Sequence, residues 1–551
     1  MTHFTKMKYN RPDIPEYVKE CKEIIQSLPN DYLGQLNRWN DLRKTISTLQ
    51  NISYIKYSLN TQDLALKEEK TFFDRVLPDV EEANVSVIKA LLASPEAKLL
   101  DQTFGPRLRL QFEMQLKTFD PKIKEHLIKE AELTTKYTVM IASAKIPFRG
   151  EVYNLSRLAK FFSDDDRKTR KEAYKLYHDF FKENEEALDQ IYDELVLLRH
   201  EKAQILGYES YIPYIYNAMN RLDYGEKDVD LFRSQVVEFV VPAAQKIRNE
   251  QKENLGVDEL MLWDLPLMDL KGAPKPIGDG KYILDQSQKM YKEFSKETGD
   301  FFDILSQKGL YDLEAYDGKD GGGYCTSLDD YGLPFIFSNF NGTKGDILVM
   351  THECGHAFQY YMSRNQPIME YLWPTMEAAE IYSMGMEYLT WPWMENFFGA
   401  DADRFCKQHL KESICLLPYI CCVDEFQHEV FKNPKCGAKE RKNIWKKLEK
   451  KYLPWQNFGE LSYWNEGNMW QAKHHIYNSP FYYIDYGLAS ICAMQLHLLN
   501  QENPDNALKS YLEGCKLGGS QSFSEIVAHM SLKNPLNEKC LNGIVGKLAI
   551  E

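Results

Sequence analysis

Thr343-Lys344-Gly345-Asp346-Ile347-Leu348-Val349-Met350-Thr351-His352-Glu353-Cys354-Gly355-His356 is the stretch on which the reading of this chain turns. Thr343 and Asp346 supply the S/T-x-x-D/E signal that opens a helix, and an apolar run follows at once. His352 and His356 therefore fall about two turns inside a helix, four residues apart on one face. Helical periodicity extends far beyond this segment. Tyr17, Cys21, Ile24, Ile25 and Leu28 form one apolar stripe, and Trp39, Leu42, Ile46 and Leu49 form another. Further helical stretches are predicted near residues 122–143, 164–206, 226–254, 283–308, 401–415 and 437–452. The fold class is mainly α. Gly and Pro mark loops at residues 271–276 and 318–323. Between the second loop and the histidines, Pro334-Phe335-Ile336-Phe337-Ser338-Asn339-Phe340 is too short for a typical helix and is bounded by Pro and Asn-Gly, so a strand is predicted. Such a strand is either an ordinary buried one or a backbone template for an extended peptide.

With 551 residues the chain can bury a large core. Lys and Arg total 67 against 81 Asp and Glu, a net charge of -14, which argues against non-specific nucleic-acid binding. The opening residues lack a signal-peptide apolar region, and no stretch approaches the roughly 18 apolar residues of a membrane span. The 11 cysteines are scattered and odd in number, which suits reduced thiols and a cytoplasmic address.

His352-Glu353-Cys354-Gly355-His356 spells H-E-x-x-H, the ligand pair and general base of a zinc peptidase. A metzincin would continue with Gly and His where this chain has Gln359 and Met362, so that class is excluded. Acidic candidates for a third ligand are Glu370, Glu377, Glu380 and Glu387. If Met376 to Glu387 is a second helix, Glu380, Ser383 and Glu387 share a face with Glu377 nearby, and Ser383 or Glu387 can brace a ligand. Two histidines and one carboxylate leave a position on tetrahedral zinc for water, whose proton Glu353 is placed to take. Cys354 points away from that face and reads as a small core residue. A rival metal motif, Glu425-x-x-His428, needs a second copy, and Glu525 to His529 has one residue too many; it reads as a structural helix. Asp164-Asp165-Asp166 reads as an exposed helix N-terminus.

His352-Glu353-x-Gly355-His356 followed by Glu380-x-x-Ser383-x-x-x-Glu387 resembles the thimet oligopeptidase and oligoendopeptidase F family of zinc peptidases. Asp166-Arg167-x-x-Arg170-x-x-Ala173, Gly323-Tyr324-Cys325 and Phe340-x-Gly342-Thr343-x-x-Asp346 also look like family positions. The resemblance spans roughly residues 155–535 and is closest to the oligoendopeptidase F branch. It implies Glu380 as the third ligand beside His352 and His356 of one catalytic zinc. It also implies an ellipsoidal or clamshell helical body with a small β element beside the zinc helix and a deep internal channel. The segment from His474 to Tyr486 looks like the family's histidine-and-tyrosine stretch, in which a His binds substrate and a Tyr stabilises the transition state. His475 and Tyr486 fit that separation best; Tyr482 and Tyr483 remain open for the same role, and Tyr477 for substrate contact.

The expectation is an N-terminal helical region over 1–150 and a catalytic region over 151–551. The function expected is a cytoplasmic zinc metalloendopeptidase acting on internal bonds of short peptides, with Glu353 as base and Tyr486 and His475 as donors to the oxyanion. Short peptides are the expected partners, with neither nucleic acid nor membrane. A metallocarboxypeptidase could carry the same ligands but needs a cation for the free carboxylate. A peptide-binding protein without catalysis would have no need of Glu353.

Overall fold

In the computed structural model residues 3–548 are described. Three helices, Ile14–Ser27, Tyr32–Leu59 and Leu64–Ala93, dominate the N-terminal part. Each begins on an aspartate, Asp13, Asp31 or Asp63, whose side chain accepts a backbone N–H of the first turn. Their apolar stripes meet in a core that includes Ile24, Leu36, Trp39, Val87 and Ile88. Ile368 and Tyr371, from far along the chain, complete it.

Most other buried residues share one continuous core. The predicted stretch 164–206 is two helices, Arg167–Glu183 and Glu185–Ile205, which meet at Asn184. Likewise 283–308 breaks at Ser295, whose hydroxyl caps the helix Lys296–Lys308 by accepting from Thr298 N at 3.1 Å. In contrast, 401–415 is only the first half of a helix that runs from Ala402 to Lys432 with Pro418 inside it. Asp166 caps Arg167–Glu183, as the acidic run suggested. Arg167 and Arg170 then reach the fully buried Asp264 at 2.7 and 3.2 Å, so this family-like motif ties two segments together. A hairpin of Ile146–Phe148 and Glu151–Tyr153, turning at Arg149-Gly150 with both φ positive, had no clear signal in the sequence.

The predicted strand exists as Leu333–Phe340, but it lies in the middle of a three-stranded sheet. It runs parallel to Tyr311–Glu314 on one side and antiparallel to Tyr324–Leu328 on the other, with Tyr324 opposite Phe337. Both of its backbone edges are thus occupied, so of the two readings the ordinary buried strand holds and the template for peptide does not; the outer edges of the sheet belong to Tyr311–Glu314 and Tyr324–Leu328. The motif helix, Lys344–Ser363, packs on this sheet and on a helix Met376–Leu389, which in turn packs on Tyr483–Glu502. These three helices carry the chemistry. No helix among the described residues is long and apolar enough to cross a membrane, and all 11 cysteines are unpaired.

Candidate active site

The motif helix starts where expected: Thr343 Oγ1 accepts from Gly345 N at 3.3 Å. Asp346 reaches back to accept from Asn341 N at 3.0 Å and Gly342 N at 2.8 Å, which fixes the entry of the chain. Two turns on, His352 and His356 project together, with ring centroids 4.9 Å apart. Their Nε2 atoms lie 3.2 and 3.4 Å from one oxygen, Glu380 Oε2, on the neighbouring helix. Ligands bound at about 2.0–2.1 Å to one tetrahedral zinc are separated by about 3.3–3.4 Å, so the three donors fit a single ion. Among the described residues no other group of His, Cys, Asp or Glu offers such a set.

Gly355 makes this approach possible. A Cβ there would stand 2.5 Å from Tyr382 O and 2.6 Å from Ser383 Cα, both backbone atoms of the glutamate helix. Without a side chain at that position the two helices touch backbone to backbone, and Glu380 reaches across. Ser383 Oγ donates to Glu380 Oε2 at 2.8 Å, and the Tyr482 hydroxyl donates to Oε1. Burial works against ionisation of Glu380, but the His356 and His352 rings overturn this and hold its carboxyl well below the usual range.

Behind His352 runs a relay that the sequence reading found only in part. His352 Nδ1 meets Glu387 Oε1 at 2.7 Å, as one of the bracing alternatives predicted. Glu387 Oε2 then lies 2.9 Å from His409 Nε2, and His409 Nδ1 lies 3.2 Å from Trp391 Nε1. An indole N–H only donates, so His409 Nδ1 accepts and its Nε2 carries the hydrogen offered to Glu387. Glu387 is left to accept from His352 Nδ1, which frees His352 Nε2 as a lone-pair donor facing Glu380.

Glu353 is 6 % exposed, and its Oε2 has no hydrogen-bond partner. Burial raises its pKa, against the pull of His352 and His356. Its Oε1 faces the backbone of Gly323, where an added Cβ would stand 3.4 Å away. Cys354 points into the core, fully buried. Of the other acidic candidates, Glu370 pairs with Arg43, and Glu377 is buried with neither oxygen bonded.

Facing the histidines is the helix Tyr483–Glu502 and the segment before it. The His475 ring lies 5.9 Å from Tyr482, 4.9 Å from Tyr483 and 5.8 Å from Tyr486, so these four form one wall. Burial, then His474 and Lys473, lowers the His475 pKa to about 3, so the ring is neutral near pH 7. Tyr483 accepts from Lys473 Nζ at 3.1 Å. Tyr477 stands apart from this wall: it is fully buried, stacks on Tyr137 and donates to Leu188 O at 3.3 Å. Arg221, which no motif pointed to, holds the wall from behind. It donates to Phe481 O at 2.7 Å and to the buried Asp485 at 2.6 Å, on the turn where Phe481 has a φ of 64°. The rival Glu425-x-x-His428 motif is spent on packing: His428 meets Arg233 at 2.9 Å and Tyr216 at 3.2 Å, and Glu425 meets Lys451 at 2.6 Å.

Two histidines and a glutamate from the next helix, with a carboxylate beside them, define a metallopeptidase centre on a helical scaffold. Residues 161–274 and 285–545 match the family described as Peptidase family M3, and residues 4–119 match the Peptidase M3 N-terminal domain. The chain belongs to peptidase family M3 and is a metalloendopeptidase of the oligoendopeptidase type. The solved structure of PZ peptidase A with an inhibitor is 42 % identical, covers 99 % of this chain and 98 % of its own, and superposes with a TM-score of 0.97. A structure from Bacillus anthracis, described provisionally as an oligoendopeptidase F, is 40 % identical over 100 % of this chain and 97 % of its own, with a TM-score of 0.92. An oligoendopeptidase F homolog from Borreliella burgdorferi is 22 % identical over 93 % of each chain.

Proposed function

We propose that this protein is a zinc-dependent endopeptidase that hydrolyses internal bonds of short peptides. The observation that carries the reading is the pair of Nε2 atoms at 3.2 and 3.4 Å from one oxygen of Glu380, the spacing that a shared tetrahedral ion requires. His352, His356 and Glu380 would hold the zinc, which would supply the Lewis acidity that polarises a carbonyl and acidifies water. Glu353 takes a proton from the attacking water on its carboxylate and later delivers it to the departing amine. Its dry surroundings, which raise its proton affinity, support this role. Tyr486 and the neutral His475 donate hydrogen bonds to the oxygen on which charge develops, while Tyr482, whose one hydroxyl proton goes to Glu380, orients that ligand. Tyr483 serves as packing and contact surface for the peptide on the same wall, and Tyr477 acts only through the stack that supports it.

Unpaired cysteines support a reducing, cytoplasmic setting. The test is removal of metal by a chelator: peptide cleavage is lost and zinc restores it. Cleavage that survives complete metal removal would overturn the proposal.

A further inference from the structure

Two adjoining cavities lie between the N-terminal helices and the outer strand of the sheet. One, of about 370 Å³, is bounded by Tyr54 and by Tyr324, Cys325 and Thr326. The other, of about 500 Å³, is bounded by Arg43, Glu81, Asn84, Leu127 and Ala131. Gln50, Asp74 and Leu77 line both, so the two make one trough. Its near end follows directly on Gly323, whose backbone faces Glu353. Its far wall is the helix Lys124–Ala142, which carries Leu127 and Ala131 at one end. Toward the other end of that helix Tyr137 stacks on Tyr477 at 4.0 Å and Thr138 meets Asn478 at 3.0 Å, within the segment that supplies His475. The strand Tyr324–Leu328 thus leads from Gly323, beside Glu353, into the near cavity, and the helix Lys124–Ala142 leads from Tyr477 and Asn478 to the far one.

Charge in the trough is unevenly matched. Arg43 is held by Glu370 and lies 3.7 Å over the Trp39 ring, and Lys70 pairs with Asp74 at 2.8 Å. Glu81 has no ion-pair partner among the described residues; its Oε1 accepts from Gln115 Nε2 at 2.7 Å. Burial pushes its pKa up, against the opposing pull of Gln115 and Arg43. The unmatched negative charge thus sits at the far end, where it repels a peptide's C-terminal carboxylate and attracts its other end.

We propose that the trough is a subsite for the part of a peptide on the N-terminal side of the scissile bond, and that Glu81 there receives a cationic group, the α-ammonium or a basic side chain. This rests on the peptidase reading above. Tyr54 and Arg43 are eleven steps apart along one helix, about 16 Å. An extended peptide covers that distance with about five residues.

The test uses quenched fluorogenic peptides with five residues before the cleaved bond in three forms: free amine, N-acetylated, and N-acetylated with lysine first. The wild-type protein should cleave the free-amine or the lysine form about tenfold better in kcat/KM than the acetylated one, and which of the two is favoured identifies the source of the cation. In Glu81→Gln that ratio should fall to near one. A second variant, Ala131→Phe, narrows the far cavity and should slow five-residue leaders more than two-residue leaders. No preference in the wild type, an unchanged ratio in Glu81→Gln, or equal slowing of both leaders in Ala131→Phe would overturn the subsite. Cleavage of all three forms at one rate would do so while leaving the peptidase reading intact; cleavage of none would sink that reading itself.

Discussion

Replacing Gly355 by alanine tests whether close helix contact builds the metal site. The new Cβ would meet Tyr382 O at 2.5 Å, Ser383 Cα at 2.6 Å and Ser383 N at 3.0 Å, all backbone atoms that no rotamer change can move. Relief to ordinary contact near about 3.5 Å requires the two helices to part by up to about 1 Å. Overpacking of this kind costs about 1–3 kcal/mol, against about 1 kcal/mol gained from the helix propensity of alanine over glycine. The net loss of stability is therefore modest, up to about 2 kcal/mol. The effect on the metal should be larger in kind, because Glu380 sits three residues before Ser383 and moves with it. Its oxygen would leave both histidine nitrogens by up to about 1 Å, well beyond the 0.2 Å or so that metal ligands tolerate. Zinc affinity, measured by competition with a chromogenic chelator, should fall at least about tenfold, while urea unfolding of the metal-free protein shows only the modest loss. Unchanged affinity in a variant that folds would refute the reasoning.

Other perturbations follow from particular contacts. His409→Phe keeps the ring stacked on Tyr388 but removes the donor to Glu387; zinc should be lost to a chelator about 10- to 100-fold more readily, and an unaltered affinity would contradict the relay. Arg221→Met leaves Asp485 buried without its partner, so stability should drop by about 3–5 kcal/mol, with kcat falling more than KM rises because Tyr482 and Tyr486 lose their anchor. Glu130 is held down to about pKa 2 against burial by Lys202 and Arg199. A depressed carboxyl adds stability above its unfolded pKa and loses it as pH falls through the folded value, so the wild type's advantage over Glu130→Gln, up to about 3 kcal/mol, should shrink between about pH 5 and pH 2. A peptide and its C-terminal amide should be cleaved alike, whereas strong dependence on the free carboxylate would favour a carboxypeptidase.

The sequence disclosed features that rest on local rules. Spacing of four put His352 and His356 on one face, and the cap at Thr343 put them inside a helix; neither needs a partner from elsewhere in the chain. The strand at Leu333–Phe340 was legible from length and composition, but its central place was not, because pairing depends on Tyr311–Glu314 and Tyr324–Leu328 lying alongside. His409 and Trp391 joined the site without a motif, since no spacing rule links them to Glu387 until the helices pack. Gly355 could be quoted as part of a pattern, but its reason is the backbone of Ser383, which only the fold supplies. Tyr477 looked equivalent to its neighbours in a tyrosine-rich run; a turn ending at the positive φ of Phe481 separates it from the wall that Tyr482 and Tyr486 form.

The most direct test of the whole account is zinc content measured together with peptide cleavage in the wild type and Glu353→Gln. The amide preserves shape and leaves His352, His356 and Glu380 in place, so both proteins should bind about one zinc per chain. Cleavage should fall by about 10²- to 10⁴-fold in the variant, because no group is left to take the proton from water. Cleavage at the wild-type rate by a zinc-loaded Glu353→Gln protein would contradict it.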